Sequence, residues 1–433
     1  MSKPLKVLYA AGPGNVIQTF NHWRSGEDDS SQVSMTFSGQ FYDVCAALGA
    51  EGYIISSHKQ KQRVQHGQFT LEHRPIAIQG KSALTYYLGQ ILYNLGIVYS
   101  AIKYRADVVI QSDTDCFFVS SLLPKFGIQV IPSLHCVLWA KYRSVSKLKQ
   151  MLFKLNGRFF AKDALAILST SDDVNEQVNQ LTRQRSRPIV NFLSTYRRSE
   201  FVHTTPSDRT NPKFQVLFAG RMERDKGIFD LLEIAKRFRS AGRNDIEFHL
   251  CGVGTALDAL RAQVNEAGLA DGFVLHGYCN KPEMQQRFRE ADVVIVPTQS
   301  GFVEGLNQVV IEGILSHRPV ITSSVCPALS YVQDAVMEVP PDDVSAYGDA
   351  ILQLADDRAL YAEKSRNCAA LQEQFYSAAN SWEAKLKSVL LAWQPSLQPT
   401  VKDVPPAWAP AVAAIMPEEP VSVMATGADD DAR

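Results

Sequence analysis

The feature that most limits the fold of this chain is an alternation of short apolar runs with segments of helical periodicity. Each apolar run has the length of a buried strand, and each segment between runs is long enough for a helix that crosses back over a sheet. This alternation predicts βα units wound on a parallel sheet. The predicted strands of the first half are Leu5 to Ala11, Tyr53 to Ser57, Ala106 to Gln111, Ile128 to Pro132, Leu165 to Ser169 and Pro188 to Leu193.

The alternation stops once and then begins again. Residues 196–213 are polar, carry proline and show no sustained period, which is typical of an interdomain linker. We therefore predict an α/β protein with two tandem Rossmann-like, doubly wound domains that face a cleft, because such sheets bind ligands beyond the carboxyl ends of their strands. The predicted parts are an N-terminal domain 1–198, a C-terminal domain 199–375, a helix 376–393 that crosses back to the first domain, and a disordered Pro/Ala-rich tail 394–433.

Charge is divided unevenly between the two halves. Residues 1–200 contain 23 Lys and Arg against 14 Asp and Glu, and the rest of the chain contains 21 against 31. The basic first half indicates an anionic partner on that side. The seven cysteines are scattered and contain no C-x-x-C pair, so neither a disulfide framework nor a zinc site is expected. No secretory signal is recognised at the start, and we expect a cytoplasmic location.

Two segments raise the question of a membrane. Ser82 to Ile102 has no charged residue over about the length of a spanning helix, but its polar residues favour a buried helix of a soluble protein. Residues 141–162 contain seven Lys or Arg and no acid among apolar residues. A surface helix with a solvated cationic face and a peripheral contact with an anionic membrane, at its inner face, both fit that pattern. No arrangement of aromatic and basic residues indicates nucleic acid.

The loop FAGRMERDKG, residues 218–227, is the sharpest chemical feature. A strand ends at Gly220, Arg221 and Lys226 follow, and a helix is predicted to start near Gly227. A guanidinium, an ammonium and the N–H groups of a helix start together form a site for a diphosphate. The alternative is a solvated basic loop whose cations pair with the acids inside it.

Residues 302–324, FVEGLNQVVIEGILSHRPVITSS, place one glutamate at the predicted start of a helix and a second one eight residues later. If the helix begins at Gly305 or Leu306, Glu304 and Glu312 are separated by about 12 Å, the span of a nucleotide sugar. Glu304 would then accept from sugar hydroxyls and Glu312 from ribose hydroxyls, with the N–H groups of Leu306 and Asn307 facing sugar and phosphate. The alternative makes Glu304 a capping acid and Glu312 a surface residue.

The first half contains weaker candidates. Gly12 and Gly14 in AAGPGNV let the backbone approach a ligand or make a tight turn, and the segment 21–39 after them is predicted to be a long loop. His135 follows a strand on the cleft side, where it serves a substrate or is a structural histidine. Residues 113–115, Asp-Thr-Asp, favour a polar loop over a metal site.

The second half resembles the retaining glycosyltransferases of family 4, which have the GT-B fold. The resemblance rests on GRMERDKG, HLCGVG, HGYCNKPEMQQRFREADVVIVP, the two glutamates of E-x7-E and GILSHRPVITSS, in that order. It implies that the first domain takes the acceptor and the second the donor, that no metal is needed, and that no bound cofactor other than the donor substrate is required. The catalytic residues it implies are Arg221, Lys226, Glu304 and His135, and the donor-binding residues are Gly12, Gly14, Gly220, Gly252, Gly254, Leu306, Asn307 and Glu312.

The function expected from this resemblance is transfer of a hexosyl group from a nucleotide-diphosphate sugar to an acceptor hydroxyl, with retention of configuration. The acceptor is expected to be a carbohydrate or a lipid-linked molecule of polysaccharide or glycolipid synthesis. Family members commonly have Pro-Ser two or three residues before the first glutamate, whereas Pro297 lies seven residues before Glu304 here. Two alternatives are an epimerase of the same fold, which would act on the nucleotide sugar without an acceptor, and a non-catalytic nucleotide-sugar-binding protein. Base, sugar, acceptor, linkage and oligomeric state stay open.

Overall fold

A computed structural model describes residues 3–27, 29, 32–78, 82–112 and 114–397. Its strands are β1 Lys6–Ala11, β2 Glu51–Ser56, β3 Gln62–His66, β4 Phe69–His73, β5 Val108–Gln111, β6 Gln129–Leu134, β7 Ile167–Ser169, β8 Ile189–Asn191, β9 Phe214–Ala219, β10 Ile246–Cys251, β11 Phe273–Gly277, β12 Val293–Val296, β13 Val320–Ser323 and β14 Val336–Val339.

The α-helices in these ranges are α1 Val16–Ser25, α2 Phe37–Leu48, α3 Ala83–Tyr104, α4 Lys147–Lys162, α5 Asp172–Thr182, α6 Ile228–Ser240, α7 Leu257–Glu266, α8 Lys281–Glu290, α9 Gln308–Leu315, α10 Leu329–Val332, α11 Val344–Asp356, α12 Arg358–Leu371, α13 Glu373–Tyr376 and α14 Trp382–Trp393. Short 3-10 helices lie at Phe117–Phe126, Arg198–Glu200, Arg224–Lys226, Gln333–Ala335 and Ala378–Asn380.

The first sheet has eight strands in the order β3-β4-β2-β1-β5-β6-β7-β8. Its pairs are parallel except β3 with β4, which form an antiparallel hairpin at the edge. Residues of β1 alternate between two buried layers: Val7 and Tyr9 pack with α1, α2 and α14, whereas Leu8 and Ala10 pack with α3, α4 and α5. Burial on both faces is the reason that the strand is apolar at every position from Val7 to Ala10.

The second sheet has six parallel strands in the order β11-β10-β9-β12-β13-β14. Its two faces are covered in the same way, since Val216 and Phe218 of β9 pack with α6 and α11, and Leu217 packs with α9. In both sheets, therefore, the carboxyl ends of the strands carry the loops that lead into helices.

The chain returns to the first sheet after the second is complete. Trp382, at the start of α14, is fully buried among the residues of α2 and β1, and its indole N–H donates to Ser133 Oγ at 2.9 Å. The predicted domain limits stay predictions, and the predicted tail lies outside the described residues from 398 onward.

Two local predictions are wrong, and one element was missed. Segment 21–39 is not one long loop, because α1 begins at Val16, capped by Asn15, and continues to Ser25. The hairpin β3-β4 was not predicted, since its strand 62–66 is polar and exposed and so gives no apolar run. Helix α3 is only half buried, with Leu84 and Tyr99 largely exposed, although its composition predicts burial. Within the described ranges, no helix, α3 included, is long and apolar enough to cross a membrane.

Candidate active site

Three glycines let the loops after β9 and β10 lie directly against each other. The Gly220 N–H donates to the Cys251 carbonyl at 3.0 Å, and a side chain at Gly252 would overlap the Gly220 carbonyl. Gly252 also has φ +140°, and a side chain at Gly254 would overlap the backbone of Met222. The predicted residues Gly220, Gly252 and Gly254 therefore shape one backbone surface at the edge of the second sheet.

The loop between β9 and α6 is held on two sides. Gly227 has φ +74°, and a side chain there would overlap the Pro297 carbonyl at the end of β12. Glu223 accepts hydrogen bonds from the N–H (2.9 Å) and the hydroxyl (2.5 Å) of Thr255, and chiefly for that reason its pKa lies below the usual range. Glu223 thus fastens the loop to the loop after β10, and Arg221 remains exposed beside it.

Lys226 and Glu304 meet at the bottom of this region. The Lys226 Nζ lies 2.7 Å from Glu304 Oε2, and the two side chains are only 12% and 9% exposed. The same carboxylate oxygen accepts from Thr298 Oγ1 at 3.0 Å and from Asn307 Nδ2 at 3.2 Å. The other oxygen, Oε1, accepts from the Gly305 N–H at 3.2 Å, so that four donors hold one nearly buried carboxylate at the carboxyl end of β12. The alternative in which the loop's cations pair only with the acids inside it is wrong for Lys226.

Phe302 covers the ion pair. Its ring centroid lies 3.7 Å from Lys226 Nζ and 5.6 Å from the guanidinium carbon of Arg221. A cation above an aromatic face is attracted by the ring quadrupole, so the ring holds both cations on one side of the cleft. The structure brings together the predicted residues Arg221, Lys226 and Glu304, and adds Phe302 to them.

The first sheet reaches this region through the segment after β6. Cys136 forms an antiparallel bridge with Gly305, and the Val137 N–H donates to the Glu304 carbonyl at 3.1 Å. A side chain at Gly305 would lie 2.9 Å from the His135 carbonyl. The loops that carry His135 and Glu304 are therefore joined by their backbones across the cleft.

The imidazole of His135 is enclosed on the first-sheet side. Nε2 lies 3.0 Å from Ser133 Oγ and 3.4 Å from Ser112 Oγ, and the ring packs at 4.4 Å on Phe37. Burial lowers the pKa of His135 to about 4, so the ring is neutral at neutral pH. Its other nitrogen, Nδ1, is buried and has no hydrogen-bond partner among the described residues.

Helix α9 begins later than predicted. It starts at Gln308 because Asn307 has non-helical backbone angles and its side chain caps the helix by accepting from the Val310 N–H. The predicted start at Gly305 or Leu306 is therefore wrong, and so is the estimate of about 12 Å along a helix. The assignment of the Leu306 and Asn307 N–H groups to the donor stays a prediction, and the Leu306 side chain is buried in the core of the second sheet.

Glu312 lies in the middle of α9 and is half-buried. Burial raises the pKa of its carboxyl to about 8. Burial, and to a smaller extent the Glu312 charge, raises the pKa of Tyr196, whose hydroxyl is buried and has no hydrogen-bond partner among the described residues. The alternative of a capping Glu304 and a solvated Glu312 is wrong, because Asn307 is the cap and Glu312 is partly enclosed.

Gly12 and Gly14 lie in the loop after β1. The Gly12 carbonyl accepts from the Ser57 N–H at 3.2 Å, and the Gly14 carbonyl accepts from the Val16 N–H at 3.1 Å. A side chain at Gly14 would meet nothing within 4 Å. The turn is therefore open at Gly14, and the assignment of both glycines to the donor site stays a prediction.

A cavity of about 190 Å³ lies between the two sheets. Trp139, Lys141 and Asp173 line it from the first sheet, and Phe302 and Val325 line it from the second. Lys141 and Asp173 form an ion pair at 3.3 Å. Glu176 is a third charged residue of the lining, so the cavity offers aromatic and charged side chains next to Phe302, which contacts Arg221 and Lys226.

No group of three His, Cys, Asp or Glu residues in the described part of the chain is placed to hold a metal. Asp113 of the segment 113–115 lies outside the described residues. Thr114 Oγ1 accepts from the side chain of Asn94 and from the Cys116 N–H. The seven cysteines are all described, and none forms a disulfide.

Sequence patterns missed three residues of this region: Thr298, Phe302 and Tyr196. Thr298 and Phe302 lie in the segment that lengthens the loop before Glu304, and that extra length was the available signal. Tyr196 lies in the predicted linker, where its polar neighbours gave no sign of its burial.

Comparison with known proteins finds similarity mainly in the half of the chain that forms the second sheet. Residues 204–372 match the family model described as glycosyl transferases group 1. Over 168 residues the chain is 32% identical to a D-inositol 3-phosphate glycosyltransferase of Arthrobacter sp. (strain FB24), a match that covers 37% of this chain and 39% of that protein. It is 24% identical over 254 residues to a 2-deoxystreptamine N-acetyl-D-glucosaminyltransferase of Streptomyces fradiae, covering 55% and 58%. The chain thus spans less than two thirds of the length of these relatives.

Solved structures of similar fold cover most of the chain. A sucrose-phosphate synthase from Thermosynechococcus elongatus superposes with a TM-score of 0.64 at 17% identity, covering 90% of this chain and 99% of that one. Anabaena Alr3699/HepE in complex with UDP superposes with a TM-score of 0.63 at 14% identity, covering 90% and 100%. With these neighbours, the two parallel sheets confirm the predicted α/β architecture of the GT-B glycosyltransferase fold.

Proposed function

We propose that this protein transfers a hexosyl group from a nucleotide-diphosphate sugar to an acceptor hydroxyl and retains the configuration of the sugar. The observation that carries the proposal is the nearly buried pair of Lys226 and Glu304, with Arg221 beside it, at the carboxyl ends of β9 and β12. A cation kept in a cleft next to an exposed guanidinium suits a ligand with two phosphates.

The donor diphosphate is assigned to Arg221 and Lys226, and the donor sugar to Glu304. On binding, the Lys226 ammonium turns from the Glu304 carboxylate to the diphosphate, and the carboxylate becomes available to sugar hydroxyls. Thr298 and Asn307 hold that carboxylate in place during the exchange. The half-buried carboxyl of Glu312 and the buried hydroxyl of Tyr196 are assigned to the ribose hydroxyls, which would give the Tyr196 hydroxyl a hydrogen-bond partner.

The names of similar proteins support the donor class. Anabaena Alr3699/HepE has been solved in complex with UDP and glucose, and a TarM variant of Staphylococcus aureus in complex with UDP and α-GlcNAc-glycerol. The sequence relatives are named as glycosyltransferases that act on an inositol phosphate or on 2-deoxystreptamine. These are properties of those proteins, and for this chain they suggest which donors to test first.

The rate enhancement is assigned to charge stabilisation on the leaving diphosphate by Arg221 and Lys226. The acceptor hydroxyl attacks on the face from which the diphosphate departs, and the protein contributes by holding the two together. His135 is neutral, so its imidazole serves as a hydrogen-bonding partner of the sugar. Neither a metal nor a further cofactor has a part in this proposal.

The acceptor is placed on the first-sheet side, in the cavity lined by Trp139 and Asp173, as a carbohydrate or a lipid-linked molecule of polysaccharide or glycolipid synthesis. A cytoplasmic location with peripheral contact at the inner membrane face, through the basic segment 141–162, completes the proposal. Nucleic acid has no part in it.

The proposal is tested by calorimetric binding of UDP, GDP and ADP to the wild type and to Arg221→Ala. Arg224→Ala is the matched control, because Arg224 is an exposed cation of the same loop that stacks on Phe229 instead. We expect one diphosphate to bind, the binding to be lost in Arg221→Ala and to persist in Arg224→Ala. No binding of any diphosphate would refute the proposal.

The reaction is then followed by NMR with the preferred donor, with and without added EDTA. Transfer to an acceptor with the donor's anomeric configuration supports the retaining mechanism. Epimerisation of the sugar without an acceptor would establish the epimerase alternative, and binding without any reaction of the donor would support the non-catalytic alternative.

A further inference from the structure

Helix α3 carries an apolar stripe along its solvent side. The stripe consists of Leu84 (72% exposed), Leu88 (47%), Leu92 (49%), Leu95 (40%) and Tyr99 (66%). These residues recur at helical spacing and therefore lie on one side of α3, over a length of about 22 Å. The opposite side of the helix packs on the first sheet through Ile97, Val98 and Ala101.

The elements next to α3 expose further large apolar side chains. The 3-10 helix 117–126 and α4 pack beside α3 in the same buried layer of the first sheet. They expose Leu122, Phe126, Met151 and Leu155. Of the 15 large hydrophobic residues that are exposed in the described part of the chain, ten lie on these three elements. Such residues are normally scattered singly on a soluble protein, so their concentration marks an interaction surface.

The charges of this surface have one sign. The three elements contain no Asp or Glu, and they contain seven cations: Lys103, Lys125, Lys147, Lys149, Lys154, Arg158 and Lys162. On α4, Lys147, Lys154, Arg158 and Lys162 share the exposed side of the helix with Met151 and Leu155. We call the exposed side of α3, 117–126 and α4 the acid-free face.

We propose that the acid-free face is a docking surface for an anionic phospholipid bilayer. Leucine and aromatic side chains enter the boundary between headgroups and acyl chains, and lysine and arginine side chains bind the phosphates. The cations argue against a second copy of this chain as the occupant, because a symmetric contact would bring like charges together. The basic segment alone would give only a weak electrostatic contact, and the apolar stripe of α3 supplies the buried area.

This docking also orients the cleft. The Tyr86 hydroxyl, near the first turn of α3, lies 3.4 Å from Asp115 Oδ2 in the loop after β5. The same loop region contains Ser112, which contacts His135. The first turn of α3 therefore lies at the cleft end of the first sheet, so that a bilayer on the acid-free face reaches the rim of the cleft. The inference extends the peripheral contact proposed above for segment 141–162 to the whole acid-free face, and it does not depend on the transfer reaction.

The test is cosedimentation of the full chain with vesicles of phosphatidylcholine alone or with added phosphatidylglycerol. Leu88→Asp/Leu92→Asp changes the apolar stripe, and Lys154→Ala/Arg158→Ala removes two cations of α4. The matched controls are Val202→Asp, an exposed apolar residue outside the face, and Arg358→Ala/Arg366→Ala, two exposed cations of α12. Circular dichroism verifies that each variant is folded.

We expect the wild type and both controls to bind only the vesicles with phosphatidylglycerol, and less at high salt. The leucine variant should bind about tenfold less or not at all, and the lysine–arginine variant should bind more weakly with a smaller salt dependence. Absence of wild-type binding, or unchanged binding by the leucine variant, would overturn the proposal. Sedimentation velocity tests whether a second copy of the chain occupies the stripe instead. A wild-type dimer that becomes monomeric in the leucine variant would assign the stripe to a dimer contact and would also overturn the proposal.

Discussion

At the scale of single residues, the pair of Lys226 and Glu304 links stability to function. Its carboxylate is nearly buried and accepts from four donors, of which only the Lys226 ammonium is charged. A paired carboxylate tolerates burial, but the same carboxylate without its cation costs much more. The pair therefore stabilises the loops of the site until a ligand takes over the cation.

Lys226→Ala is expected to lower the free energy of unfolding by about 3 kcal/mol, because it leaves the Glu304 carboxylate buried with only neutral donors, namely Thr298, Asn307 and the Gly305 N–H. Urea denaturation measures this loss. The double variant Lys226→Met/Glu304→Gln is the control, since it removes both charges: it should regain most of the stability and still fail to bind the diphosphate. Equal stability of Lys226→Ala and the wild type would contradict the burial of the pair.

The raised pKa of Glu312 makes the free energy of unfolding depend on pH. Its carboxyl keeps its proton in the folded protein up to about pH 8, whereas the unfolded chain loses it above pH 4.5. Over that range the unfolded state binds fewer protons than the folded state, so stability falls as the pH rises. Relative to Glu312→Gln, the wild type should lose roughly 2 kcal/mol between pH 5 and pH 8, after allowance for solvent screening.

Urea midpoints of both proteins at the two pH values provide the measurement. Glu363→Gln, a change of an exposed glutamate on α12, is the control and should give a difference that does not vary with pH. A difference between wild type and Glu312→Gln that is likewise constant would show that the Glu312 carboxyl titrates normally.

At the scale of elements, the two strand-end loops of the second sheet depend on glycine, whereas the turn after β1 has open space at Gly14. Gly252→Ala places a methyl group against the Gly220 carbonyl in a backbone conformation with φ +140°, and should destabilise the protein by about 3 kcal/mol or more. Gly14→Ala is the matched change, because its methyl group would meet nothing within 4 Å. It should alter the free energy of unfolding by less than about 0.5 kcal/mol.

Thermal unfolding with calorimetric nucleotide binding separates the two glycines. If Gly14 lies beside the donor, Gly14→Ala weakens diphosphate binding without changing stability. Unchanged binding would remove Gly14, and with it the loop after β1, from the donor site. A stable, nucleotide-binding Gly252→Ala would contradict the contact between the loops after β9 and β10.

Helices and strands were predicted well where the apolar residues follow one clear periodicity. They were predicted poorly where a polar side-chain contact determines where an element begins. The buried strands β1, β9 and β12 are apolar at successive positions, so their existence follows from sequence. The exact start of α9 depends on a single side-chain cap at Asn307. From sequence alone, Glu304, three residues earlier, is an equally acceptable helix start. The apolar side of α3 was predicted to be buried because composition does not reveal which side of a helix meets the sheet.

The same limit applies to the candidate site. The cations Arg221 and Lys226 and the acid Glu304 could be proposed from their positions after apolar strands. That Lys226 pairs with Glu304 beneath Phe302 could not, because that contact joins residues 78 positions apart through the geometry of two neighbouring strand ends. The enclosure of Tyr196 depends on residues of the second sheet and of the chain's return segment, which no local pattern encodes.

At the scale of the whole molecule, the return of the chain through α14 makes the first sheet depend on residues beyond the second. Trp382 is fully buried and donates to Ser133 on β6. Trp382→Ala should lower the free energy of unfolding by about 3 to 5 kcal/mol, because it removes a large core side chain and leaves Ser133 without that donor. Trp393→Ala, at the other end of α14 and only partly buried, should lose less than half of that in guanidinium denaturation. Equal losses in the two variants would contradict the anchoring role of Trp382.

The backbone bridge between Cys136 and Gly305 closes the cleft next to Glu304. A sugar can bind between the loops that carry His135 and Glu304 only after these backbone hydrogen bonds have broken. Binding would then proceed in two steps, with the opening of the bridge setting an upper limit to its speed. In stopped-flow experiments the observed association rate of the donor should level off as its concentration increases, whereas a permanently open cleft would give a rate that continues to rise in proportion to concentration.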